Sequence, residues 1–156
     1  MLYRKGRQMI SIRQMQKNDE SQIVALMQKF YASSAVWSNG SEEIFRADVR
    51  ECVGDSPYAR GYVFECDGKM AGYGMLAFGF STEFGKKCVW IEDIYVKEEF
   101  RGMKLGSRFL DLVQREFPQF LHRLELEKEN ATALHVYHRA GFRELPYISM
   151  FRNGDV

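Results

Sequence analysis

Arg101-Gly102-Met103-Lys104-Leu105-Gly106-Ser107 sets one guanidinium, one ammonium and two glycines ahead of a run with helical spacing. The apolar segment 90–96 precedes it. A strand that enters a helix through small residues offers an anion the helix's first unpaired N–H groups and its positive dipole end. The segment therefore reads as a phosphate site to which Arg101 adds charge. The same residues would also make an ordinary turn and helix cap. It is not a Walker loop, because no Gly-Lys-Ser/Thr ending follows. Gly72-Tyr73-Gly74-Met75-Leu76-Ala77 matches the dinucleotide fingerprint formally, but lies inside a strand-like run and is set aside.

Carboxylates form the second chemical feature. Glu92 and Asp93 lie in the strand before the loop, and Glu92 should share a face with Ile94 and Val96 by the period of two. Arg123, Glu125 and Glu127 alternate with Leu124 and Leu126. Glu125 and Glu127 would join Glu92 in an acidic pocket for a cationic amine, or form an exposed strand face. His135 and His138 have no third ligand at a known metal spacing, so no metal is expected. No Ser or Cys lies in a nucleophile elbow.

These residues need a scaffold. Residues 10–15 alternate as a strand, and Asn18-Asp19 can cap a helix carrying Ile23, Leu26, Met27 and Phe30. Ser41 precedes a second, shorter helix. Residues 60–65 and 70–80 flank Asp67-Gly68, a hairpin signal. Residues 88–96 add a third antiparallel strand. Leu105, Phe109, Leu112, Val113 and Phe117 then mark a helix stopped by Pro118, followed by a strand over 121–127 and a helix over 130–139. Gly141 should be the left-handed residue past that helix, and residues 142–152 should form one or two closing strands broken at Pro146. The strand–helix–strand crossover makes the strands ending at Val96 and Glu127 parallel neighbours. The expected fold class is α/β: a mixed, mostly antiparallel sheet with one parallel pair and helices on both faces.

The chain has 156 residues, of which 46% are hydrophobic and 28% charged, so it should form one domain with a full core. Residues 1–8 are expected to be a flexible extension and 9–156 the domain, with Met9 an alternative start. A net charge of +1 argues against a nucleic-acid partner and a polybasic membrane anchor. No run approaches the roughly 20 apolar residues of a membrane span. Cys52, Cys66 and Cys88 are scattered, as in a reduced cytoplasmic protein.

The segment 100–107 resembles the pyrophosphate loop of the GNAT superfamily of N-acetyltransferases, Gln/Arg-x-x-Gly-x-Gly/Ala, with Lys104 where that family usually has its first glycine. Residues 91–96 resemble the strand before that loop. Residues 129–142 resemble the family's Asn-x-x-Ala-x-x-x-Tyr-x-x-x-Gly-Phe segment. The element order resembles the GNAT fold along nearly the whole chain.

The resemblance implies acetyl-CoA as cosubstrate. The backbone of Ile94, Tyr95 and Val96 would pair with pantetheine as an added strand. The amides of Gly102, Met103, Lys104, Leu105, Gly106 and Ser107, beside Arg101, would hold the pyrophosphate. Asn130 would bond the cofactor near its thioester end, or simply cap its helix. Tyr137 would give a proton to the departing thiolate, and Glu92 would take one from the amine directly or through water. The expected reaction is acetyl transfer to a small-molecule or lysine-bearing primary amine in a ternary complex, with homodimerisation plausible. A non-catalytic acyl-CoA-binding module is the rival, which the presence of Tyr137 disfavours. Trp37, Phe78, Phe80 and Trp90 are available to wall the acceptor site, and the loops 33–41 and 81–86 to select the acceptor.

Overall fold

Asp67 and Gly68, at φ of 50° and 75°, turn β3 (Ala59–Cys66) into β4 (Lys69–Ser81). Positive φ at both central residues matches the twist of the flanking strands, as the Asp-Gly pair predicts. The computed structural model describes residues 2–5 and 8–154, with side chains from residue 8 onward. Among the described residues, six strands form one sheet in sequence order: β1 (Leu2–Lys5), β2 (Gln8–Gln14), β3, β4, β5 (Lys86–Val96) and β6 (Leu121–Leu124). Every ladder is antiparallel except β5–β6. Leu2–Lys5, within the stretch expected as an extension, pairs with β2; residues 1, 6 and 7 lie outside the described residues.

Helices cover both faces. Helices α1 (Glu20–Tyr31) and α2 (Glu42–Val53) bury Ile23, Val24, Leu26 and Met27 with Phe45, Val49 and Cys52 on one face. Helix α3 (Leu105–Glu116) buries Leu105, Phe109, Leu110, Leu112 and Val113 on the other, and Val136 and Tyr137 of α4 (Ala131–Arg139) pack beside them. Ser41 caps α2 by accepting from the Ile44 N–H at 3.2 Å. Asp19 does not cap α1 through its side chain. Its carboxylate instead takes the Gln16 N–H and the Arg13 guanidinium, both at 2.8 Å.

The glycines of the discarded dinucleotide match have packing roles inside β4. A Cβ on Gly74 would lie 2.4 Å from the Phe109 ring, and one on Gly72 2.2 Å from the Tyr95 carbonyl oxygen. Phe109 fills the space Gly74 leaves, against Tyr62 and Phe64. A fully buried ring of this size is worth about 3–5 kcal/mol against alanine.

Two expectations fail at the open end of the sheet. The strand expected over 121–127 stops at Leu124, so Glu125 and Glu127 lie beyond the ladder and strand alternation does not set their faces. The closing strands expected over 142–152 are irregular chain. Pro146 has no N–H to donate, and the four-residue β6 leaves little edge to pair with.

Candidate active site

The β5–β6 ladder ends at Ile91 opposite Leu124, and β5 continues alone on that side to Val96. At the same level the β4–β5 register jumps: Met75 opposes Asp93, while Leu76 opposes Ile91. Glu92 is the extra residue of this β-bulge. Bulges re-aim side chains and bend strands, and this one lies where the parallel pair separates. It also interrupts the period of two that was to place Glu92 with Ile94 and Val96. Those two side chains pack with the α3 cluster, while the charges that act on Glu92 include Asp48 of α2, on the opposite face.

Beyond β5 lies a cleft of about 880 Å³. Of the expected site residues, Ile94, Tyr95, Val96, Arg101, Gly106, Asn130 and Tyr137 line it. Gly102, Met103, Lys104, Leu105 and Ser107 form its lip without lining it. Glu92, Glu125 and Glu127 lie outside its lining. A smaller hollow of about 270 Å³ beside Arg13 and Glu116 shares none of these residues.

The lip is fixed from below. Leu105 is 2% exposed and Met103 packs on the same cluster, so these two act on the cleft through backbone alone. Gly102 has φ 80°, and Lys104, the N-cap of α3, has φ 60° and ψ 29°. Lys104 is therefore left-handed rather than in the helical turn that a lysine tolerates easily. This conformation costs an L-residue about 1–2 kcal/mol, and explains why glycine suits the position. A lysine side chain cannot accept a capping bond, and no acid follows in the first turn of α3. The N–H groups there keep their affinity for an anion. Arg101 Nε donates to the Val96 carbonyl at 3.3 Å, and its guanidinium lies 3.7 Å from Glu98 on an open surface.

Gly106 has no backbone reason to be glycine. It is helical, costing about 1 kcal/mol against alanine, and an added Cβ would approach the protein only at Ile94 Cγ2, at 3.6 Å. Its missing side chain keeps the space in front of the helix end clear. That is what close approach by a phosphate requires.

Helix α4 closes the cleft. Asn130 Oδ1 accepts from the Ala133 N–H at 3.1 Å, so its capping role is realised, and Nδ2 remains the atom to donate to a ligand. At the other end, the Phe142 N–H donates to Tyr137 and the Gly141 N–H to His138, with Gly141 at φ 91°. This is a Schellman cap, and its usual apolar contact is the Tyr137–Phe142 ring pair, 5.9 Å between centroids at 64°. The Tyr-x-x-x-Gly-Phe spacing thus holds the Tyr137 ring in place. Burial pushes the Tyr137 phenol above its ordinary value, keeping its proton at neutral pH.

The acidic side is larger than the sequence suggested. Glu92 has an open surface but protein on several sides, and its carboxyl is raised by desolvation, then by Glu125 and Asp48. Asp93 is 4% exposed and accepts from Tyr73 at 2.9 Å and Tyr31 at 3.2 Å. Burial brings Asp93 to about 6, against the two hydroxyl bonds that favour its charged form. Asp48 is raised by burial alone. Asp48 was readable in advance: with Phe45, Val49 and Cys52 it follows the i, i+3, i+4, i+7 spacing of a buried helix face. Glu125 accepts from the Ser149 hydroxyl at 2.7 Å, and Arg123 stacks on Trp90 at 4.3 Å. Among the described residues, no group of three or more His, Cys, Asp or Glu is placed to hold a metal.

A sequence model of the Acetyltransferase (GNAT) family matches residues 22–142. A thialysine N-epsilon-acetyltransferase from Sus scrofa is 35% identical over 118 residues, covering 67% of this chain and 66% of that protein. The Bos taurus protein of the same name is 32% identical over 114 residues, covering 67% and 65%. The chain thus spans just under two thirds of these relatives. In structure it is similar to a possible acetyltransferase from Clostridium difficile 630, with TM-score 0.79 and 18% identity over 94% of this chain and 98% of that one. It is also similar to an aminoglycoside N-acetyltransferase in complex with CoA, with TM-score 0.74 and 19% identity over 92% and 94%.

Proposed function

This chain belongs to the Acetyltransferase (GNAT) family, and we propose that it moves an acetyl group from acetyl-CoA to a cationic primary amine by direct attack in a ternary complex. The observation that carries this is the cleft itself: an α3 end without a side-chain cap, cleared by Gly106, beside a β5 edge that has lost its neighbour. The backbone of Ile94, Tyr95 and Val96 holds the pantetheine amides as a neighbouring strand would. The amides of residues 102–107 and Arg101 hold the pyrophosphate. Asn130 Nδ2 donates to the cosubstrate nearer its thioester.

Glu92 takes a proton from the acceptor ammonium, directly or through one water. Its raised pKa brings a carboxylate closer to the amine's, which favours that transfer. The amine nitrogen then bonds to the acetyl carbon, and the carbon–sulfur bond breaks. Tyr137 gives its proton to the leaving thiolate, and a protonated buried phenol suits that role. The amide of Val96, which lines the cleft, is a candidate donor to the developing oxyanion.

Glu92, Glu125 and Glu127 form the acceptor side, joined by Asp48 and Asp93. A lysine-type ε-amine is the acceptor this favours, supported by the name of the pig and cattle relatives. Cys52, Cys66 and Cys88 are free and buried, which suits a cytoplasmic setting. The test is CoA-thiol release with acetyl-CoA and a panel of lysine, thialysine, a linear polyamine and an aminoglycoside. Turnover with intersecting initial-rate lines is expected. Parallel lines would contradict the ternary complex, and no turnover by a protein that binds acetyl-CoA would favour a non-catalytic module.

A further inference from the structure

Residues 142–152 cross the open end of the sheet on side-chain contacts. The Tyr147 hydroxyl donates to Glu83 at 2.8 Å, the Ser149 hydroxyl donates to Glu125 at 2.7 Å, and the Phe151 ring meets Trp37 at 5.2 Å and 62°. Glu83 lies in the β4–β5 turn and Trp37 in the α1–α2 connection. The segment therefore ties together the two loops expected to select the acceptor, and touches the acidic side between them. Among the described residues, no backbone–backbone hydrogen bond holds residues 143–152. Ile148 and Met150 are 89% and 90% exposed, so no core burial holds them either. Segments of this kind open at little cost and supply the lids of binding sites.

We propose that residues 147–151 form a gate over the acceptor approach, closed in the free protein, which a cationic acceptor opens by taking Glu125 from Ser149. This rests on the reading of Glu92 and Glu125 as the acceptor side. The exchange is favoured because an ammonium brings a full positive charge to the carboxylate, where the Ser149 hydroxyl brings only a dipole. Once Ser149 leaves Glu125, the Trp37–Phe151 contact is the remaining latch to the α1–α2 connection. The gate makes the acceptor bind only the open fraction of the protein, which raises its apparent KM.

The test compares wild type, Ser149→Ala and Phe151→Ala with saturating acetyl-CoA and the best amine of the panel. Both variants should lower the amine KM about three- to tenfold, leaving the acetyl-CoA Kd unchanged. With Trp90→Phe, Trp37 is the remaining tryptophan of the chain's two. That ring is 78% exposed with Phe151 against one side, so its emission should change when the amine separates the two rings, and should not change with the amine in Phe151→Ala. Amine KM values unchanged or raised in both variants, with an active wild type, would overturn the gate and leave the acceptor reading standing. No amine turnover by a wild type that binds acetyl-CoA would remove the acceptor side and the gate together.

Discussion

On the α3 side of the cleft, backbone amides are held by the buried Leu105 and by Met103 packed against the core, and a glycine clears space. On the Glu92 side, carboxylates stand on a bulge, past a strand end and under an exposed C-terminal segment. The first arrangement is rigid and reads one shape, an anion against N–H groups. The second is set by charge and by loops, and can be retuned without disturbing the core. Under the proposed function, the rigid part would hold the cosubstrate and the adjustable part the acceptor.

Tyr137 belongs to the rigid side, so its loss should affect chemistry and nothing else. Tyr137→Phe keeps the ring against Phe142 and removes the phenol proposed to give the thiolate its proton. The expected kcat falls about 10²- to 10³-fold, with the acetyl-CoA Kd unchanged. A kcat within twofold of wild type would assign that proton to solvent.

Asp93 sharpens the contrast from the other side, because its carboxyl carries a cost of burial. The folded chain holds this carboxyl at about 6 against an ordinary 3.8. Between those values the folded chain keeps a proton that the unfolded chain has released. Stability from this group is full below about 4 and is lost as pH rises through about 6, on the order of 3 kcal/mol. Asp93→Asn should remove that fall. The Asp19–Arg13 pair, whose effect has the opposite sign, stays in both proteins and cancels in the comparison. Urea unfolding of both proteins from pH 4.5 to 7.5 measures the difference, and identical pH profiles would contradict the burial argument.

Glu125→Gln with Glu127→Gln should raise the KM for a cationic acceptor about tenfold while acetyl-CoA binding stays unchanged. An unchanged KM would confine the acceptor charge to Glu92, Asp48 and Asp93. The smallest effect belongs to the lip. Lys104→Gly relieves the left-handed backbone and should stabilise the protein by about 0.5–1 kcal/mol, read as a higher Tm. A lower Tm would show that the lysine side chain contributes more than its backbone strain costs.

The same division decides what the sequence made legible. The glycine-bearing turn into α3, the three-strand meander and the α4 segment were all readable as backbone, because glycine positions, hairpin residues and caps carry backbone requirements in short spacings. Gly141 and Phe142 are an example: together they specify the Schellman cap that fixes Tyr137. The acidic side was less legible because its geometry comes from pairing between distant segments. No local signal marks the extra residue at Glu92, since the bulge exists only against Met75 and Leu76. Strand alternation in 121–127 likewise suggested a longer β6 than its partner supports, and alternation alone could not show that 142–152 lacks an edge to join. Lys104 hid its left-handed backbone because the residue type argues against it.

The most direct test of the account is calorimetric titration of wild type and Gly106→Glu with acetyl-CoA. An added Cβ at residue 106 meets only Ile94, and a helical glycine is replaced by a better helix former, so the variant should fold with a Tm no lower than wild type, while its carboxylate faces the cleft. The account predicts saturable binding to wild type, weakened at least about 100-fold in the variant. Equal binding by both proteins, or none by a folded wild type, would contradict the placement of the pyrophosphate at the α3 N-terminus.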